Sequence, residues 1–464
     1  MRLADGSRNR ILWVIFSTTA LIILAALLRY VWHRISTSGR TGDFDHFYYA
    51  ALAMRTGANP YEVIAPGYPQ PGYLYPPLLA FLYVPFTYLS DFITAAHASL
   101  VVDVLTLTAA MAIGAQAMLE RFGEKATAWN TWKWPCVIAL GLLLSLDKTK
   151  GELQMLQTNV FILASLMIAL WSLDRSAIGV GAAIGFAINI KYQALIVLPY
   201  LLIRRRWGAA GWTVLWMLFF SLLPSVMIGF GTEVRYLAMA FAGVLNLVGI
   251  HPIVSSGGIA AQIEGIDSLF SVSVTSAIAR WLKSIGSSIS PMAVSAMVGV
   301  VWMAILAAIY RGKGVPWLRW PAVKKGAGQA VAPWNRRVAV EWMILIAIVL
   351  CFSPQTNSRH LMLTMGINFG ALALILTSRF TVRALWPLVA GVAIIWAGLN
   401  LPSGHWTPTM VTHRVAGKLV TELRDVESPA VVYWRKVGGP SWAILVGMLL
   451  MVEGAYREKR VAIP

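Results

Sequence analysis

Charge is what this sequence has least of. Only 12% of its 464 residues are Asp, Glu, Lys or Arg, about half the share of an ordinary soluble domain. Cysteine is nearly absent. Cys136 and Cys351 both sit inside apolar runs and read as small buried hydrophobes, not as a disulfide or a metal pair. There is no Walker A sequence, no dinucleotide fingerprint after a strand, no H-E-x-x-H and no Cys/His zinc spacing. The motif-borne chemistries of soluble nucleotide and zinc enzymes are therefore excluded. Long polar stretches are also missing. The longest, about 231–290 and 401–440, are loop-sized, so no separate soluble core is expected.

What is present is apolar. Hydrophobic residues make up 58% of the chain, and mean hydropathy is +0.67. Thirteen apolar runs occur near 11–30, 76–90, 93–118, 134–147, 155–173, 177–190, 192–203, 209–230, 291–310, 338–352, 361–377, 384–400 and 441–454. Several approach the roughly 20 residues that span a bilayer as a helix. The shorter ones predict kinked, re-entrant or locally thinned segments. The expected fold class is an all-α polytopic membrane protein, one integral membrane domain over 1–464. MRLADGSRNR precedes about eighteen apolar residues with no small-x-small cleavage site, which predicts an uncleaved first span rather than a signal peptide.

The net charge of +18 points to anionic headgroups rather than nucleic acid. Lys and Arg collect in loops, and no basic stripe with interleaved aromatics lies outside them. Arg204, Arg205 and Arg206 mark one cytoplasmic loop, and the basic stretch 311–337 marks another. The N-terminus and the tail YREKR read the same way. Two inside ends require an even number of crossings. YPPLLAFLYVPF, at 75–86, is short and rich in proline, so it is the expected re-entrant segment, leaving about twelve crossings. This parity places 31–75, 148–159, 231–290, 352–360 and 401–440 together on the outer face.

The chain's polar clusters fall in those outer segments. GDFDHFYY, at 42–49, holds Asp43, Asp45, His46, Tyr48 and Tyr49. Two acids two residues apart face different ways on a helix, so at most one enters a shared pocket, where it would act as a general base. The alternative is a solvated loop with an interfacial aromatic belt. DKTKGELQMLQTN, at 147–159, brings Lys148, Lys150, Gln154, Gln157 and Asn159 to the start of an apolar helix. Outer-face lysines oppose the positive-inside rule, which calls for an anionic ligand or a different loop boundary. Lys191 stands alone between two short apolar halves; it either snorkels or meets an anion. SPQTNSRH places Arg359 and His360 at the opening of another apolar helix. The planar guanidinium and the helix N-terminus there both suit phosphate. Cations for an anionic leaving group, with a carboxylate for a hydroxyl nucleophile, are the requirements of transfer from a phosphate-linked donor to an alcohol. A transporter or flippase of a lipid-linked sugar would also use the spans and cations, but not the carboxylate beside them. It would also be expected to show internal repeats, and none is evident. A non-catalytic scaffold is a third reading.

DFDHFYYAALAMRTGANPY (43–61), YLYPPLLAFLYVPF (73–86), LQTNVFILASLMIAL with the Gly-rich run ending at Lys191, and SPQTNSRHLMLT follow one another in order. IEGIDSLFSVSVTSAIARWL (263–282) is a weaker companion. In this order and spacing the sequence resembles the polyprenyl-phosphate-dependent membrane glycosyltransferases of glycosyltransferase family 87, with the C-type glycosyltransferase fold. The resemblance implies inverting transfer of a mannose-like hexose or a pentose, outside the cytoplasm, from a polyprenyl-phosphate sugar to a glycolipid or glycan hydroxyl. It implies Asp43 as general base, with Asp45 second to it. Lys191, Arg359, His360 and Lys150 are expected near the donor phosphate. His46, Tyr48, Tyr49, Gln157, Asn159, Tyr75 and Asp267 are expected to contact substrate. No cofactor or metal is called for. Partners are the lipid-linked donor, the acceptor and membrane lipids, in a cytoplasmic membrane with the site facing outward. The family's Gly before Gln157 is Leu156 here, its first histidine is Arg359, its tryptophan is replaced by Asn357, and its Asn-Gln-Ser segment reads Ile266-Asp267-Ser268.

Overall fold

The first apolar run grows into a longer helix than its hydropathy marks. In this computed structural model α1 covers Arg2–Ser38, and residues 2–39, 41–124, 128–247, 265–316, 332–378, 381–401, 407–415, 418–426 and 428–457 are described. The second helix, α2 (Asp43–Thr56), follows directly, so about half of the expected first outer loop, 31–75, is helical. Gly42 stands at φ +68° before it, and a Cβ there would overlap the Met155 side chain. Asp43 and Asp45 in the first turn complement the helix dipole. Gly57, at φ +77°, ends the helix in the left-handed conformation that favours glycine.

Next come α3 (Pro77–Tyr83), continued by a 3₁₀ turn over Val84–Tyr88, and α4 (Phe92–Arg121), capped by Asp91, which accepts from the Thr94 amide at 2.9 Å. α5 (Lys133–Leu144), α6 (Leu146–Gln154), α7 (Asn159–Ser172) and α8 (Ala177–Ile190) complete the first half. α4 packs on α7, and α7 on α8. The helix Thr364–Thr377 lies against α4 and α5 and is buried along most of its length. Farther along, Val382–Asn400 packs on Gly439–Ala455.

Among the described residues six helices are long and apolar enough to cross a membrane. A seventh candidate is the pair Pro429–Lys436 and Gly439–Ala455, bent by 61°. Five shorter apolar helices accompany them, including Pro77–Tyr88, the segment expected to be re-entrant. The chain is a helical, multi-pass membrane protein; the figure of twelve crossings is finer than these helices establish.

Two expectations need correction. The segments 231–290 and 401–440 are not plain loops. The first holds helices Phe230–Leu247 and Val274–Ser284, and 248–264 lies outside the described residues. The second holds the helix Pro429–Lys436 and a departure from the all-α expectation: strands Thr407–Val415 and Lys418–Val426 form an antiparallel pair, from Thr407 opposite Val426 to Val415 opposite Lys418. Both strands carry several Val and Thr residues, which favour extended backbone. Of the basic stretch 311–337, residues 317–331 lie outside the described residues.

The polar groups separate to two ends. Asp174, just before α8, pairs with Arg121 at the end of α4 and with Arg206. Nearby, Glu341 accepts from Arg204 Nε at 3.0 Å, Arg337 Nε at 2.6 Å and Tyr200 at 3.1 Å. Thus the two basic segments read as cytoplasmic meet on one carboxylate. At the other end of α8, about 20 Å away at 1.5 Å per residue, Lys191 begins the opposite cluster.

Candidate active site

A cavity of about 790 Å³ opens at that end. Its lining comes from every polar segment singled out in the sequence, with 401–440 represented by Arg435 of the helix Pro429–Lys436. Asp43, His46, Tyr75, Gln157, Lys191, Arg359 and His360 line it together.

Asp43 is the first residue of α2. Its Oδ2 accepts from Arg359 Nη1 at 2.6 Å, and both side chains are about one-third exposed. The Phe44 amide donates to the Met155 carbonyl at 3.3 Å, which docks the start of α2 beside the turn leading to Gln157. His46, one helical turn beyond Asp43, also faces the cavity. Its ring lies 4.3 Å from that of Tyr68, and its Nδ1 has no hydrogen-bond partner among the described residues. Burial lowers the His46 pKa; the nearby Asp43 and Asp45 charges oppose that shift. A Cβ on Gly72 would overlap this ring, so the cavity wall needs glycine there.

Lys191 ends α8 in extended conformation. Its ammonium donates to Asn159 Oδ1 at 2.7 Å and Gln157 Oε1 at 3.2 Å, and lies 5.6 Å from the Tyr75 ring centre. Two of its three protons are thereby used. His360 Nε2 stands 3.2 Å from the same nitrogen. The Asn357 amide donates to His360 Nδ1 at 3.0 Å, which fixes the ring proton on Nε2. Lys191 and His360 therefore present donors to one another, an arrangement that an anion placed between them would satisfy. His360 opens a short 3₁₀ turn, His360–Leu363, and the α-helix begins only at Thr364. Burial raises the Tyr75 pKa, so its hydroxyl stays protonated as a donor, 3.4 Å from Gln157 Oε1.

The remaining candidates lie elsewhere. Asp45 is buried and turned away from the cavity, accepting from the Thr41 amide and hydroxyl at 3.1 and 2.8 Å; the Tyr68 hydroxyl lies 3.1 Å away. Its carboxylate holds the entry to α2. Lys150 lies over the Tyr30 ring, 4.8 Å from its centre, and Lys148 pairs with Asp147 at 2.8 Å. The run 147–159 is mostly the helix α6, which points these lysines away from the site. Tyr48 and Tyr49 pack against Phe92, with ring centres at 5.3 and 6.1 Å; they seat α2 on α4. Asp267 pairs with Lys283, a hydrogen bond that lowers its pKa, while its neighbour Ser268 lines the cavity. Asn159 is fully buried behind Lys191 rather than in the wall.

Sequence reasoning passed over several residues. Tyr68, Gln193, Asn357 and Arg435 line the cavity. Ser271 bridges to Asn357, and the Val272 amide donates to the Thr356 carbonyl at 2.7 Å, pinning the SPQTN segment. Arg280 ties this turn to the far helix, donating to the Ser271 carbonyl at 3.1 Å and the Arg435 carbonyl at 3.1 Å. A buried acid, Glu152, stands behind Asn159. Its sequence signal was a carboxylate in the very run already singled out. Leu156, where the family pattern has glycine, adopts φ +48°, a conformation that costs a non-glycine residue about 1–2 kcal/mol.

Residues 73–328, more than half of the chain, match the model for Glycosyltransferase family 87. The chain belongs to glycosyltransferase family 87. No curated protein matches it. The matched span of this membrane glycosyltransferase contains Tyr75, Gln157, Asn159 and Lys191. Asp43 precedes it, and Arg359 and His360 follow it; only folding joins them to the matched part. Among the described residues of the glycosyltransferase, no three His, Cys, Asp or Glu side chains gather where they could hold a metal ion. A second cavity, about 320 Å³ and apolar, adjoins the first through Ile190. It is lined by Leu79, Leu82, Phe86, Val102, Phe161 and Phe186 among others, and Leu82 and Val102 are exposed on the helix surface.

Proposed function

We propose that this glycosyltransferase moves a mannose-like hexose or a pentose from a polyprenyl-phosphate donor to a hydroxyl of a glycolipid or glycan, with inversion. The reading places the site at the outer face of a cytoplasmic membrane, with basic loops inside. One observation carries it: the Asp43 carboxylate shares a cavity with Lys191, Arg359 and the Nε2–H of His360. The cations and the ring N–H are the donors a phosphate monoester needs as charge develops on it. The adjoining apolar cavity, exposed toward lipid, suits the first isoprene units of the donor.

In the proposed reaction the acceptor oxygen bonds to the anomeric carbon from the face opposite the phosphate. The bond from that carbon to the phosphate oxygen breaks, and its electron pair leaves with polyprenyl phosphate. The acceptor's proton passes to Asp43. Arg359, which pairs with Asp43, turns to the phosphate when donor enters, and this frees the base. The charge gained by the phosphate falls between Lys191, Arg359 and His360, so no acid has to protonate the leaving group.

The test is turnover of a radiolabelled polyprenyl-phosphate mannose by the purified enzyme with membrane glycolipid extract. Release of polyprenyl phosphate with label in the glycolipid supports the reading. Movement of intact donor across a vesicle bilayer without cleavage would replace it with a transporter.

A further inference from the structure

Glu152 is fully buried near the end of α6. Its two oxygens grip one residue from two sides. Oε1 accepts from the Asn159 backbone amide at 2.7 Å, and Oε2 accepts from Asn159 Nδ2 at 2.8 Å. An amide side chain has one donor end and one acceptor end. With Nδ2 committed to Glu152, Asn159 Oδ1 must face the other way, and there it accepts from Lys191 at 2.7 Å. The flipped amide would set an NH₂ group against an ammonium. The carboxylate thus decides which end of Asn159 meets Lys191, and Asn159 stands between the two charges.

The backbone reinforces this. The Gln157 amide donates to the Glu152 carbonyl at 3.2 Å, so the turn through Leu156 brings Gln157, the other acceptor for Lys191, to the same place. With two ammonium protons held by Asn159 and Gln157, the third is left for the cavity beside His360 Nε2–H.

We propose that Glu152 is a positioning residue for phosphate binding: it fixes the Asn159 amide, and Asn159 in turn aims Lys191 at the anion. The inference rests on the donor reading given above. Glu152 does not line the cavity; burial raises its pKa, and with Lys191 and the Asn159 hydrogen bonds pulling the other way it stands at about 7.

The test uses the full-length protein in detergent with farnesyl phosphate as probe. Wild type is expected to bind it. Glu152→Gln, which offers a donor where Asn159 needs an acceptor, is expected to weaken binding about tenfold, the loss expected when a charge-assisted hydrogen-bond network is misaligned. Lys191→Met is expected to weaken it at least as much, and Glu152→Gln in the Lys191→Met background is expected to add nothing. A merely structural acid would add its effect in both backgrounds, and that result overturns the proposal. Equal affinity of Glu152→Gln and wild type overturns it as well. Should Glu152→Gln fail to fold, Glu152→Asp decides: it keeps the charge but is one methylene too short. Wild-type affinity in that variant would mean that charge, not alignment, is the role. Failure of wild type to bind farnesyl phosphate would instead sink the donor reading itself.

Discussion

Asp43 and Arg359 stand 316 positions apart in the sequence and 2.6 Å apart in the fold. The pair joins the start of α2 to the segment before Thr364–Thr377 and sets an acid against a cation in the wall of a single cavity. In the proposed reaction this ion pair holds the base in check until the donor phosphate replaces the contact.

Replacing Asp43 with asparagine removes the proposed base and leaves the shape. Transfer is expected to fall about 10²–10⁴-fold, the range a general base contributes. The ion pair is partly solvent-exposed and worth at most about 1 kcal/mol, so the melting midpoint should move by no more than a few degrees. Near-normal turnover in a folded Asp43→Asn protein would remove Asp43 from the chemistry.

For Arg359→Lys the charge stays but the planar fork is lost. The donor KM is expected to rise roughly tenfold, more than kcat falls. An unchanged donor KM would show that Arg359 serves only to hold Asp43.

His46 gives a pH signature. Burial holds its folded-state pKa below the ordinary 6.5. Between those two values the unfolded chain binds a proton that the native state does not, so stability rises with pH there. The contribution is complete above about 6.5 and is lost as pH falls through the folded value. Thermal midpoints of wild type and His46→Leu, compared from pH 5 to 8, should converge toward low pH. Parallel curves would contradict the lowered pKa of this half-buried ring.

Gly72→Ala places a methyl group in the His46 ring. Overpacking of this kind costs about 1–3 kcal/mol. The loss should shrink when His46 is shortened to alanine, which a double-mutant cycle on thermal stability would reveal. Additive losses would mean that the wall accommodates the methyl by another route.

Much of this protein was legible from order and composition. Sparse charge and repeated apolar runs decided a multi-pass membrane protein, because a bilayer demands such runs and tolerates little else. The motifs named Asp43, His46, Tyr75, Gln157, Lys191, Arg359 and His360, and all seven line the cavity. What the sequence left open was direction. Asp43 and Asp45 are equal in composition. Two residues along a helix rotate a side chain by about 200°, and only the seating of α2 on Met155 and Phe92 turns the first to the cavity and the second to Thr41. Lys150 looked as cationic as Lys191, but the register of α6 turned it to Tyr30. Asn159 changed meaning altogether: it lies buried between Lys191 and Glu152, an acid the sequence reading passed over, rather than at the surface of the site. Periodicity records which face of a helix is apolar. Which polar side chain meets which, across hundreds of residues, is set by how whole helices pack, and that belongs to the tertiary structure alone.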